Sequence, residues 1–187
     1  EGGHALYEQG LDHEHYGSPA CDAISLGIHE SQSRLWENQV GRSRAFWEHW
    51  FTYLKETFPG QLDHLSIDTL VGGINRVEAS LIRVEADEVS YGLHVILRYE
   101  LEKLMMEGDV EVPDLEEAWN TKMEEYLGVV PSNASEGMLQ DIHWSHGSMG
   151  YFPTYLLGNL YAAQIFHQAH QVMPDLEDDL RSGKLIP

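Results

Sequence analysis

Glu1, His4 and Glu30 are the side chains best placed, by type and spacing, to do chemistry. Glu1-Gly2-Gly3-His4 has the form of the last four positions of His-Glu-x-x-His. In that helical segment two histidines on one face ligate zinc, and the glutamate between them acts as general base on metal-bound water. The first histidine would precede Glu1, so the sequence reads as a chain cut inside its own metal site, keeping the base, Glu1, and the second ligand, His4. Glu30, within His29-Glu30-Ser31-Gln32, is a candidate third ligand. A lone Glu-x-x-His is more often a surface pair than half a metal site. Together the two segments fit the His, His, Glu set of a catalytic zinc centre, in which three protein ligands leave a fourth position for water.

Two further constellations carry polar groups in suggestive order. In Ile82-Arg83-Val84-Glu85-Ala86-Asp87, the side chains of Arg83 and Asp87 stand at i and i+4 and can pair on one helix face. The pair is either a surface salt bridge or an arginine, held by a carboxylate, that grips a peptide C-terminal carboxylate in bidentate fashion. Tyr91, His94 and Arg98 continue the stripe, which either faces water or lines a groove. Gly137-Met138-Leu139-Gln140-Asp141-Ile142-His143-Trp144 leads into Ser145-His146-Gly147 and then Tyr151-Phe152-Pro153-Thr154-Tyr155. Histidines and tyrosines there are either packing groups or hydrogen-bond donors for a developing oxyanion. His13, His15, His49, His64, His167 and His170 fall at no ligand-like spacing and are assigned to the surface or to helix caps.

These residues must be positioned by helices. Apolar residues recur at three- or four-residue spacing from His29 to Phe58, where Pro59-Gly60 ends the pattern, and the spacing predicts one long amphipathic helix. A second long helix is expected from Asp68 to Met106. A third runs from Pro113 to Leu127 with Gly128 at its C-terminal cap. Thr154 to Val172 makes a fourth, stopped by Pro174, and Asp175 to Arg181 a short last one. Pro131-Ser132-Asn133-Ala134-Ser135 reads as loop. No segment alternates with a two-residue period, so no substantial sheet is expected. No repeat or low-complexity linker marks a boundary, and residues 1–187 read as a single, partial helical domain.

Composition narrows the function classes. The 187 residues carry 11 basic and 31 acidic side chains, a net charge of −20, which repels nucleic acid and anionic membranes. No apolar run approaches the roughly 20 residues that span a bilayer. The single cysteine, Cys21, rules out an internal disulfide framework and points to a reducing compartment, the cytoplasm.

In order along the chain, these segments resemble the thermostable carboxypeptidase family typified by Taq carboxypeptidase. Glu-Gly-Gly-His at 1–4 resembles the end of its His-Glu-Gly-Gly-His motif, and the segment His-Glu-Ser-Gln at 29–32 recurs in it. Ile82 to Asp87 matches its Ile-Arg-x-x-Ala-Asp, and Gly137 to Trp144 its Gly-x-x-Gln-Asp-x-His-Trp. Two other family motifs, His-Pro-Phe and Asp-x-Arg-x-Thr, lie upstream of the active-site helix and are not in this sequence. The resemblance implies the C-terminal part of an all-α, zincin-type metallocarboxypeptidase with a deep substrate groove, commonly a homodimer, holding one zinc or cobalt ion per complete enzyme. It assigns His4 and Glu30 as metal ligands and Glu1 as general base. Arg83 would take the terminal carboxylate of a peptide substrate with a free C-terminus, oriented by Asp87, and His143 and Tyr155 would steady the tetrahedral intermediate.

Without the first histidine the chain is expected to hold metal poorly and to be inactive by itself. The competing expectation is a non-catalytic helical module for interaction or dimerisation, left by truncation. A related helical zinc peptidase that cleaves internally or removes dipeptides is disfavoured, because the segments at 82–87 and 137–144 match the carboxypeptidase pattern.

Overall fold

The computed structural model describes residues 2–185. Among them the chain forms α1 (Gly2–Gln9), α2 (Leu26–Arg34), α3 (Arg44–Thr57), α4 (Ile67–Ile74), α5 (Tyr91–Glu107), α6 (Leu115–Leu127), α7 (Pro153–Val172) and α8 (Leu176–Arg181). The described residues contain no strand, and the all-α expectation is met. No helix among them is long and apolar enough to cross a membrane.

The sequence spacing succeeds where one residue can stop a helix. Gly128 closes α6 at φ 69°, a left-handed cap that costs glycine nothing, and α7 ends ahead of Pro174. Both long helices expected upstream are instead broken. From His29 to Phe58, α2 passes into a π-helical turn at Leu35–Val40, and a new helix begins after Ser43, whose Oγ accepts from the Phe46 N–H. Trp47 Nε1 donates to the Gly41 carbonyl at 2.8 Å and fixes that corner. Between Asp68 and Met106 the apolar periodicity hides a second break. Asn75 Nδ2 donates back to the Val71 carbonyl at 2.9 Å and to the Arg42 carbonyl at 3.0 Å, and residues 76–90 form no α-helix. Short polar side chains that offer the backbone a local partner end a helix whatever the apolar period says.

The chain divides into two compact units. One runs to Asn75 and resumes at Leu157; the other is Arg76–Leu156. In the first, α1 lies against α2 and α3 against α8, over a core that includes Val40, Ala45 and Leu180. Gly3 is buried at the α1–α2 contact, where an added Cβ would overlap the Gln32 carbonyl. Its missing side chain is what lets the two helices approach. The second unit joins α5 to α6 through Leu97, Leu101, Leu115, Trp119, Met123 and Leu127. Beside them Ala86, Tyr91, Val95 and Phe152 form a smaller cluster.

Candidate functional site

The first unit brings two expected ligands together. His4 on α1 and Glu30 on α2 meet with Nε2 and Oε2 3.2 Å apart, a contact that the close helix approach at Gly3 permits. Gly158 of α7 covers Glu30 from another side: a Cβ there would lie 2.6 Å from Glu30 Cγ. Glu30 is buried, and burial raises its carboxyl pKa above the ordinary value although His4, Ser33 and Arg34 pull it down. The second histidine of the segment, His29, places Nδ1 2.8 Å from His4 Nδ1 and Nε2 2.8 Å from Glu8 Oε1. Glu1 lies outside the described residues.

An imidazole nitrogen and a buried carboxylate at this separation are the donor types that zinc and related cations take. They fit two positions of such a centre. Among the described residues no group of three or more His, Cys, Asp or Glu side chains could hold a metal.

The second unit holds a buried ion cluster that sequence spacing pairs wrongly. Arg83 does not pair with Asp87. Its Nε and Nη2 donate to Asp141 Oδ1 at 3.0 and 2.7 Å, and its Nη1 to Tyr91 Oη at 2.9 Å. Arg98 donates from Nε to Asp141 Oδ2 at 2.6 Å and from Nη1 to the His94 carbonyl at 2.8 Å. Asp87 is spent elsewhere, at the start of α5. Oδ1 accepts from the N–H groups of Val89 and Ser90, and Oδ2 from Ser90 Oγ and the Glu78 N–H. Burial would raise the Asp87 carboxyl, but these hydrogen bonds outweigh it and hold the pKa at about 2. The i, i+4 argument fails because Arg83–Glu85 is a single 3₁₀ turn and no helix connects the two residues.

Nor does the polar stripe of α5 face water. Tyr91, His94 and Arg98 are all buried, the last two completely. Burial, with Arg98 and Arg83 nearby, lowers the His94 pKa to about 4, so the ring is neutral at pH 7. Burial also lowers Arg98, to about 10, against the pull of Asp141, and the guanidinium stays charged. Burial would likewise raise Asp141, but Arg98 and Arg83 reverse the sign and its pKa falls below the ordinary value.

His143 and Tyr155, expected to act together, do meet: His143 Nε2 is 3.0 Å from Tyr155 Oη. The imidazole rests against Phe152, ring centroids 4.5 Å apart. The Arg83 guanidinium lies 4.8 Å from the Tyr155 ring centroid, a cation–π contact. Burial lowers the His143 pKa; Asp141 opposes this and Arg83 adds to it. Glu102 ties down the loop that carries His143 and leads into α7, accepting from Trp144 Nε1 at 2.9 Å and the Gly150 N–H at 3.0 Å.

Sequence reasoning gave no role to Asp141, Arg98, His29 or Glu8. Asp141 and His29 sit inside quoted motifs, and Glu8 follows His4 by one helical turn, which was the available signal. Of the histidines assigned to the surface, His13, His15, His49, His64 and His167 are exposed and His170 is half-buried.

The whole chain, residues 1–187, matches the sequence family described as carboxypeptidase Taq (M32) metallopeptidase. It is 52% identical over 187 residues to thermostable carboxypeptidase 1 of Thermus thermophilus, covering all of this chain and 36% of that protein. To carboxypeptidase 1 of Bacillus subtilis it is 44% identical, covering 37% of that protein. Among solved structures, it superposes on the M32 carboxypeptidase of Deinococcus radiodurans R1 with a TM-score of 0.91 and 46% identity, over 97% of this chain and 37% of that one. The chain thus spans a little over a third of the length of the relatives it matches.

Proposed function

Since the chain belongs to the carboxypeptidase Taq (M32) metallopeptidase family, we propose that its residues serve a metal-dependent carboxypeptidase. The enzyme hydrolyses the last peptide bond of peptides with a free terminal carboxylate. The observation that carries this reading is the approach of His4 Nε2 to Glu30 Oε2, 3.2 Å apart on two packed helices. Lewis-acid polarisation of the scissile carbonyl, with a lowered pKa for water, is the chemistry a zinc or cobalt ion supplies when bound there. Glu1 takes the proton of the attacking water and hands it to the leaving amine. Tyr155, with neutral His143 beside it, offers its O–H to the oxygen on which negative charge develops. The lone Cys21 supports a cytoplasmic setting.

Arg83 acts on the terminal carboxylate through charge rather than through a bidentate grip. The side chain is buried and already bonded to Asp141 and Tyr91. With Arg98 it outnumbers Asp141 by one positive charge, and its own guanidinium lies against the Tyr155 ring. A charge that acts on a carboxylate without touching it, at an effective dielectric constant of about 20, contributes less than the roughly 4 kcal/mol of a close pair. Arg83→Ala should therefore lower kcat/KM for free-acid peptides by about one to two decades relative to the same peptides amidated at the C-terminus, while Arg83→Lys keeps much of the preference. Equal losses on both substrates would reduce Arg83 to a packing role.

The reading is tested by extending the chain to the length of its relatives. The extended protein should bind one zinc or cobalt ion, release C-terminal residues from peptides, and lose that activity on chelation. Among the described residues two ligand side chains of the set are present, His4 and Glu30, and the 187 residues alone are expected to hold metal weakly and to release no C-terminal residues. Failure of the extended chain to take up metal would remove the basis of the proposal.

A further inference from the structure

His29 touches a proposed ligand and has no role in the chemistry described so far. Its ring lies nearly parallel beside that of His4, centroids 4.6 Å apart and planes 18° from parallel. Glu8, His29, His4 and Glu30 form a row: Glu8 Oε1 to His29 Nε2 at 2.8 Å, His29 Nδ1 to His4 Nδ1 at 2.8 Å, His4 Nε2 to Glu30 Oε2 at 3.2 Å.

The outer end of the row dictates where the protons sit. A carboxylate only accepts, so the contact with Glu8 requires the His29 proton on Nε2. In a neutral ring Nδ1 then bears a lone pair and can only accept. His4 must place its own proton on Nδ1, and its lone pair is left on Nε2. That nitrogen faces the Glu30 carboxylate, so two acceptors look at each other and need a cation or a proton between them. Running the row the other way would turn the His29 Nε2 lone pair toward Glu8 and put a proton on His4 Nε2, where a metal would have to bind.

We infer that His29, anchored by Glu8, is a positioning residue that fixes the tautomer and ring direction of His4, so that Nε2 is the nitrogen offered to the metal. The inference rests on the reading of His4 and Glu30 as ligands. Of the two partners His29 matters more, because its side chain is 23% exposed whereas that of Glu8 is 57% exposed and open to screening.

The test uses the chain extended to the length of its relatives and three readouts: zinc affinity by chelator competition, the visible spectrum of the cobalt form, and nitrogen NMR of the histidine rings in the zinc-loaded protein. The rings of wild-type protein should show the proton on Nδ1 of His4 and on Nε2 of His29. His29→Phe should weaken zinc binding by about ten- to a hundredfold and shift the cobalt bands. His29→Asn, whose amide can accept from His4 and donate to Glu8, should recover most of that loss.

A His4 proton on Nε2, or an asparagine variant no better than the phenylalanine one, would overturn the inference. Unchanged affinity and cobalt spectrum in His29→Phe, with metal lost in His4→Ala, would overturn it and leave the ligand reading intact. An extended wild-type chain that binds no zinc overturns both. Should His29→Phe fail to fold, the wild-type ring spectra and the asparagine variant still decide.

Discussion

Glu1→Gln, made in a chain extended upstream to the length of its relatives, is expected to leave metal content unchanged and to lower turnover by about two to four decades, the range that a positioned general base supplies. Glutamine keeps the size and one acceptor oxygen of glutamate but cannot take up a proton at neutral pH. Since His4 and Glu30 are untouched, elemental analysis should read the same stoichiometry in variant and wild type. The loss should fall on kcat, with little change in KM, because the base acts only as the bond is made. Metal lost in the variant would make Glu1 a ligand instead of a base. Activity retained would move the base to another residue.

How much of this was legible in the sequence depended on the range of the interactions involved. Helices α6 and α7 were read nearly to the residue, because Gly128 and Pro174 act on their own neighbours. The breaks at Ser43 and Asn75 were missed, since the strong apolar period masks a side-chain hydrogen bond to the backbone only three or four residues away. Ser43 is a residue type that favours helix starts, and weighing it would have placed that corner.

The site divides in the same way. His4 and Glu30, and His143 and Tyr155, were given joint roles through the family motifs, and each pair is in contact in the fold. Arg83 was matched to Asp87, its near neighbour, while its partner Asp141 stands 58 residues away in sequence. Spacing arguments reach one or two helical turns. Beyond them the choice between two carboxylates is made by burial and by the four hydrogen bonds that already occupy Asp87.

Asp141→Ala should be among the most destabilising substitutions in the second unit, costing about 3 to 5 kcal/mol. The carboxylate lies between two guanidiniums whose side chains are 7% and 0% exposed, and its removal leaves two buried positive charges with no anion between them. Asp141→Asn retains an acceptor but not the charge and should fall between alanine and wild type. Pairing Asp141→Ala with Arg98→Met should cost less than the sum of the two single changes, because one buried cation is then absent. The pH dependence follows the same sign. Asp141 has a folded-state pKa depressed below 3.8, so its contribution is fully present above that value and is lost as the pH falls through the folded pKa. The shift of the urea midpoint at constant slope reads each of these effects. A cost for Asp141→Ala under about 1 kcal/mol, the size of an exposed pair, would mean that Arg83 and Arg98 reach water once the carboxylate is gone, and the buried cluster would then be no anchor for Tyr155.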